Sequence, residues 1–137
     1  MSSPEAFNTI HDRVVALWTA TSVIFENEDT PTPDTPAAFL FVEVAGDLFE
    51  QASIGGGDQV GDNLWREDGQ VLIHVMTPRG GGSAAARLLA RQAADLLRGQ
   101  DIDGIRFGGV SIGAGEPGEA DGNYWRMTAT IDFERDE

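Results

Sequence analysis

Asp68-Gly69-Gln70-Val71-Leu72-Ile73-His74-Val75-Met76-Thr77-Pro78-Arg79-Gly80-Gly81-Gly82-Ser83 sets a turn, a strand, a stiff exit and a glycine hinge in direct succession. An Asp-Gly pair suits a type I′ hairpin turn, so the stretch predicts that Asn63-Leu64-Trp65-Arg66-Glu67 pairs antiparallel with Val71 to Met76. Pro78 has no N–H for the ladder and ends the sheet near Thr77. The glycines then release the chain into a helix that Ser83 can cap and Gly99 can stop, running to about Arg98. Ala85, Leu89, Ala93, Leu96 and Leu97 form its expected buried side.

Upstream, Ser2 and Glu5 resemble a capping box with Pro4 in the first turn. Phe7, Ile10, Val14, Leu17 and Trp18 recur at helical spacing and predict a core-facing stripe. Ser22 to Glu26 reads as a short strand that leads into a proline-rich loop, Pro31 to Pro36. Phe39 to Val44 is apolar on both faces and predicts a strand covered on both sides. Phe49 to Ile54 predicts another, ended by Gly55-Gly56-Gly57-Asp58.

Downstream, Ile105 to Phe107 and Val110 to Ile112 are short strand candidates, followed by a Gly-, Pro- and acid-rich loop from Gly113 to Gly122. Trp125, Met127, Ala129, Ile131 and Phe133 alternate with Tyr124, Arg126, Thr128, Thr130 and Asp132, the period of a long strand with one buried and one wet face. The tail Glu134 to Glu137 is expected to be solvated. Together these elements predict a single α+β domain over residues 1–137, a mostly antiparallel β-sheet with two main α-helices packed on it.

The 137 residues suffice for one hydrophobic core. The net charge is -14 and every basic residue is arginine, which disfavours specific nucleic-acid binding through phosphates. Without cysteine there is no disulfide, thiol nucleophile or thiolate metal site, and two separated histidines offer little for zinc. The amino terminus lacks the pattern of a secretory signal and no apolar run spans a bilayer, so synthesis in a cytoplasm without membrane insertion is expected.

Arg79-Gly80-Gly81-Gly82-Ser83 has the glycines of a phosphate-binding loop but lacks its lysine, and reads instead as a hinge or assembly loop. The acidic groups Glu28, Asp29, Asp34, Glu116, Glu119 and Asp121 have no calcium-loop spacing. Neither His11 nor His74 has a recognisable Ser or Cys motif beside it. No catalytic, metal or cofactor-binding residue is therefore assigned. Arg79, Arg87, Arg91 and Arg98 fall in or just before one helix of an acidic chain, a basic stripe that reads either as a solvated face with intrachain pairs or as a contact with acidic loops of another copy or of another protein.

A set of features along nearly the whole chain resembles the tail terminator proteins of long-tailed bacteriophages and phage-derived gene transfer particles. They are the helix ending Val15-Ala16-Leu17-Trp18, Val23-Ile24-Phe25-Glu26-Asn27 with its proline-rich sequel, and Phe39-Leu40-Phe41-Val42-Glu43-Val44. Glu67-Asp68-Gly69 before Val71-Leu72-Ile73-His74-Val75, the Pro78-Arg79-Gly80-Gly81-Gly82 exit, and Gly122-Asn123-Tyr124-Trp125-Arg126 complete the set. The resemblance implies a structural protein without enzyme activity, which caps the head-proximal end of the tail tube as a homo-hexameric ring at the tail-neck junction of the particle. Its partners would be the tail tube protein and the head-tail connector, and DNA would pass through the ring without specific binding. Other small tail or neck components, or a small acidic ligand-binding domain or enzyme, are the alternatives. In a terminator, the Pro31 to Pro36, Arg79 to Gly82 and Gly113 to Gly122 loops are the expected contact elements.

Overall fold

Alternating apolar residues build the long strands of a computed structural model that describes residues 2–28, 35–117 and 123–137. The chain runs α1 (Pro4–Leu17), β1 (Ser22–Phe25), β2 (Phe39–Gln51), a 3-10 turn (Val60–Asp62) and β3 (Trp65–Pro78). It continues through α2 (Ala84–Ala94), β4 (Asp101–Ile102), β5 (Ile105–Ile112), β6 (Glu116–Pro117) and β7 (Tyr124–Asp136). The strands form one sheet in the order β1-β2-β3-β7-β5-β4, with β6 added on β7. Only β1 against β2 is parallel; the other pairings are antiparallel. The expected α+β architecture with two helices is observed.

The Asp68-Gly69 turn is not. Both residues lie inside β3, where Gly69 faces Gly46 on β2 and Phe133 on β7. A Cβ on Gly69 would come 2.5 Å from Phe133 Cζ and 2.6 Å from the Ala45 carbonyl oxygen, so the glycine serves close packing instead of reversal. Turning there would forfeit the pairing of a 14-residue central strand with β2 and β7. The hairpin reverses earlier, through residues 52–64, and joins β2 to β3.

The separate strands expected at Phe39–Val44 and Phe49–Ile54 are one strand, ended at Gln51 and interrupted by a bulge between Gly46 and Leu48. Ile105 to Ile112 likewise merges two short candidates across a bulge between Phe107 and Val110. Each bulge restores the inward alternation after a glycine-containing step and adds twist.

Ser3, not Ser2, caps α1: its Oγ accepts from Ala6 N at 3.1 Å. Pro4 occupies the first helical turn, which makes the preceding residue the cap. The Ser3 N–H donates to Glu67 Oε1 at 2.8 Å, and Glu67, fully buried, lies 3.7 Å from Arg135, so a charge pair ties the helix entry to the sheet. Ala6, Ile10, Val14 and Trp18 are buried and Phe7 packs beside them, whereas Leu17, expected in the stripe, is exposed.

On α2 the buried residues are Ala86, Ala90, Ala93 and Ala94, with Leu97 beyond the helix; Leu89 and Leu96 are half-buried, and Ala85 is exposed. The buried side is rotated by one residue because alanine lets the helix sit close to the strands, with the larger leucines at the margins. Both helices share one core with Leu40, Val42, Val71, Ile73, Met127, Ala129 and Ile131, so they cover the same sheet face. Arg13 Nε donates to the Leu96 carbonyl at 3.1 Å and joins them. The opposite face carries a small cluster of Phe39, Met76 and Tyr124. Tyr124, expected on the wet side, is buried there against Phe39.

The acidic tail is also ordered. Glu134 to Asp136 belong to β7, and Asp136 accepts from Arg66 at 2.7 and 2.9 Å and from Arg106 at 3.1 Å. Arg106 also donates to Glu134 at 2.9 Å.

Candidate functional site

Three surfaces carry chemistry or exposed apolar area. The first is α2 with the loop before it. Gly80 and Gly82 have φ of +95° and +79°, so this exit needs glycine at both, while Gly81 lies between them. The Arg79 N–H donates to the Asn123 carbonyl at 3.1 Å, fastening the loop to the start of β7. Ser83 makes no side-chain cap; its Oγ accepts from Arg87 Nε at 3.2 Å. Arg91 and Arg98 both pair with Asp95, at 3.2 and 2.9 Å, leaving one carboxylate between two guanidiniums. Leu88 stands exposed next to them.

Of the acidic residues in the expected contact set, the two that are described pair elsewhere. Glu28 Oε1 accepts from the Phe25 N–H at 2.6 Å within its own turn, and Glu116 pairs with Arg126 across β6 and β7. Asp29, Asp34, Glu119 and Asp121 lie outside the described residues, as does most of the Pro31 to Pro36 loop.

The second surface is the sheet face turned away from the helices. Strands β2, β3 and β7 bring together Glu43, His74 and Thr128. His74 Nε2 is 3.2 Å from Glu43 Oε1 and its Nδ1 is 2.7 Å from Thr128 Oγ1, while Phe41 stacks on the imidazole at 5.8 Å. Burial pushes His74 below the ordinary imidazole value, Glu43 pulls it upward, and Arg126 pushes it down. No local Ser or Cys motif marks this group, because its members sit on three strands. The register-forming alternation on each strand is the sequence signal that places them on one face. A carboxylate, an imidazole and a hydroxyl in this order can orient and polarise the hydroxyl. They lie on a sheet face, whereas the clefts of about 410, 360 and 160 Å³ are lined by other residues.

The third surface, absent from the sequence-based set, is the arm of residues 52–64 at the far end of β2 and β3. Its polar groups bind its own backbone: Asn63 holds Gly56 and Gly57 at 3.1 and 3.0 Å, Asp62 holds the Gln59 N–H at 3.0 Å, and Ser53 Oγ holds the Leu64 N–H at 2.7 Å. Trp65 Nε1 donates to the Val60 carbonyl at 2.9 Å. The apolar side chains point out, with Ile54 91% and Val60 73% exposed.

Neither a protein-family model nor a curated protein sequence matches the chain. Solved structures do. One protein, 17% identical, superposes with a TM-score of 0.60 over 93% of this chain and 88% of its own. Another chain, from the virion of a native gene transfer agent (GTA) particle, is 16% identical with a TM-score of 0.56, over 95% of this chain and 93% of that one. A virion chain has this fold. At these identities the likeness is one of fold, over nearly the whole chain.

Among the described residues no group of His, Asp and Glu is arranged to hold a metal ion, and no helix is long and apolar enough to cross a membrane. The three surfaces are thus an arginine-rich helix, an open sheet face and an apolar arm.

Proposed function

We propose that the protein is a structural component of a phage-like particle, the tail terminator that closes the head-proximal end of the tail tube as a hexameric ring. The observation that carries this reading is the full-length fold shared with a chain of a GTA virion. It is supported by the terminator-like order of features along the sequence and by surfaces suited to protein contact. Ring formation and the tube and connector contacts are part of the proposal. A ring of chains each carrying a net charge of -14 would present an acidic lumen that repels passing DNA and does not retain it.

Labelling of the protein in intact particles tests the position. Antibody-bound gold confined to the tail-neck junction is expected; gold along the tube would assign it to the tube instead. The Glu43-His74-Thr128 arrangement favours a second reading, an acyl-transfer enzyme with Thr128 as nucleophile. Ester hydrolysis by the purified protein that His74→Gln abolishes would support this second reading over the structural one.

A further inference from the structure

The arm of residues 52–64 inverts the usual polarity of a surface loop. The side chains of Ser53, Asp62 and Asn63 are used internally while Ile54, Val60 and Leu64, with Leu48 at the base, face outward. The internal bonds hold these apolar groups in place before any partner arrives, which lowers the ordering cost of docking. Beside them, Phe49, Val60 and Trp65 line the cleft of about 360 Å³.

Charge limits what the arm can meet. From Gly46 to Trp65 the chain has Asp47, Glu50, Asp58 and Asp62 and no basic residue. Four of the nine arginines, Arg66, Arg106, Arg126 and Arg135, pair with carboxylates on the sheet. On α2 and the turn after it, by contrast, Arg91 and Arg98 share Asp95, and Arg87 meets the Ser83 hydroxyl and no carboxylate among the described residues. Leu88 is 60% exposed, adjacent to Arg87 and three residues before Arg91. An apolar and acidic surface therefore has an apolar and basic counterpart in the same chain.

Within one copy the two leave each other uncovered, since Ile54, Val60 and Leu88 all stay exposed. Resting on the ring reading above, we propose that the arm of one copy docks on the outer face of α2 of the next, with Ile54 and Val60 against Leu88 and Asp58 near Arg87. Two different surfaces on each copy make the contact head-to-tail, the type that closes rings.

The natural absence of cysteine permits a direct test in particles carrying Ile54→Cys together with Leu88→Cys. Mild oxidation is expected to produce a ladder of multimers beyond the dimer on non-reducing gels. Neither single variant should do so. A cross-link in Ile54→Cys alone, giving only dimers or an adduct with another particle protein, would overturn the proposal. So would the lack of a ladder in particles with tails of normal length, an outcome that leaves the terminator reading intact. If the double variant does not assemble, Asp58→Arg and Arg87→Glu decide: each alone should reduce incorporation, and the pair should restore it. Failure of the pair to restore what each loses would also overturn the contact.

Discussion

The ring of Phe133 lies against the backbone of Gly69, leaving no room for a side chain at the middle of the central strand. Gly69→Ala is expected to destabilise the protein by about 1–3 kcal/mol, the range for overpacking a core. Combining it with Phe133→Leu should cost less than the sum of the separate changes, because the second removes the colliding ring atoms. Gly81→Ala, whose nearest neighbour would be the Pro78 carbonyl oxygen at 3.9 Å, should leave stability within about 0.5 kcal/mol. Chemical denaturation of the four variants checks this.

His74 links stability to pH near neutrality. Burial lowers its folded pKa beneath the ordinary value of about 6.5, so the unfolded chain takes up the proton first. The stability it contributes is present above about pH 6.5 and is lost as pH falls toward the folded value. In His74→Gln the loss over that window should disappear, while an NMR titration of the wild type should give an imidazole midpoint below 6.5. A midpoint above 6.5 would mean that Glu43 outweighs burial.

Asp136 acts in a more acid range. Hydrogen bonding to Arg66, opposed by desolvation and reinforced by Arg106, lowers its pKa to about 2. Its contribution is present above the unfolded carboxyl value of about 3.9 and fades as pH falls toward 2. Relative to wild type, Asp136→Asn should melt at lower temperature at pH 6, with the difference narrowing toward pH 2. It should also narrow at high salt, since the three side chains remain accessible to solvent. Thermal melts across pH and ionic strength provide the check.

Much of the fold was legible in local pattern. The period of two from Trp125 to Phe133 marks β7, the glycines before Ser83 mark where α2 begins although it ends at Ala94 and not at the expected Arg98 before Gly99, and Ile10 and Val14 mark the inner side of α1. Asp68-Gly69 misled because a pair with strong turn preference sits where Ala45 and Phe133, far away in sequence, demand a small residue. The side of α2 was misjudged by one residue because the leucines, taken as its inner side, lie at the margins while the smaller alanines face the sheet. Of the surfaces, the arginines of α2 could be read directly. Glu43, His74 and Thr128 required knowing that β2, β3 and β7 are neighbours, and the exposed face of Ile54 and Val60 depended on a hairpin whose turn lies elsewhere than predicted.

Tail length is the property that a terminator sets. Negative-stain electron microscopy of particles from the source, with the gene deleted in frame and then restored, measures it directly. The terminator account predicts overlong headless tails beside unattached heads in the deletion, and normal particles on restoration. Tails of normal length joined to heads would contradict it, and absent tails would assign the protein to tube or baseplate assembly.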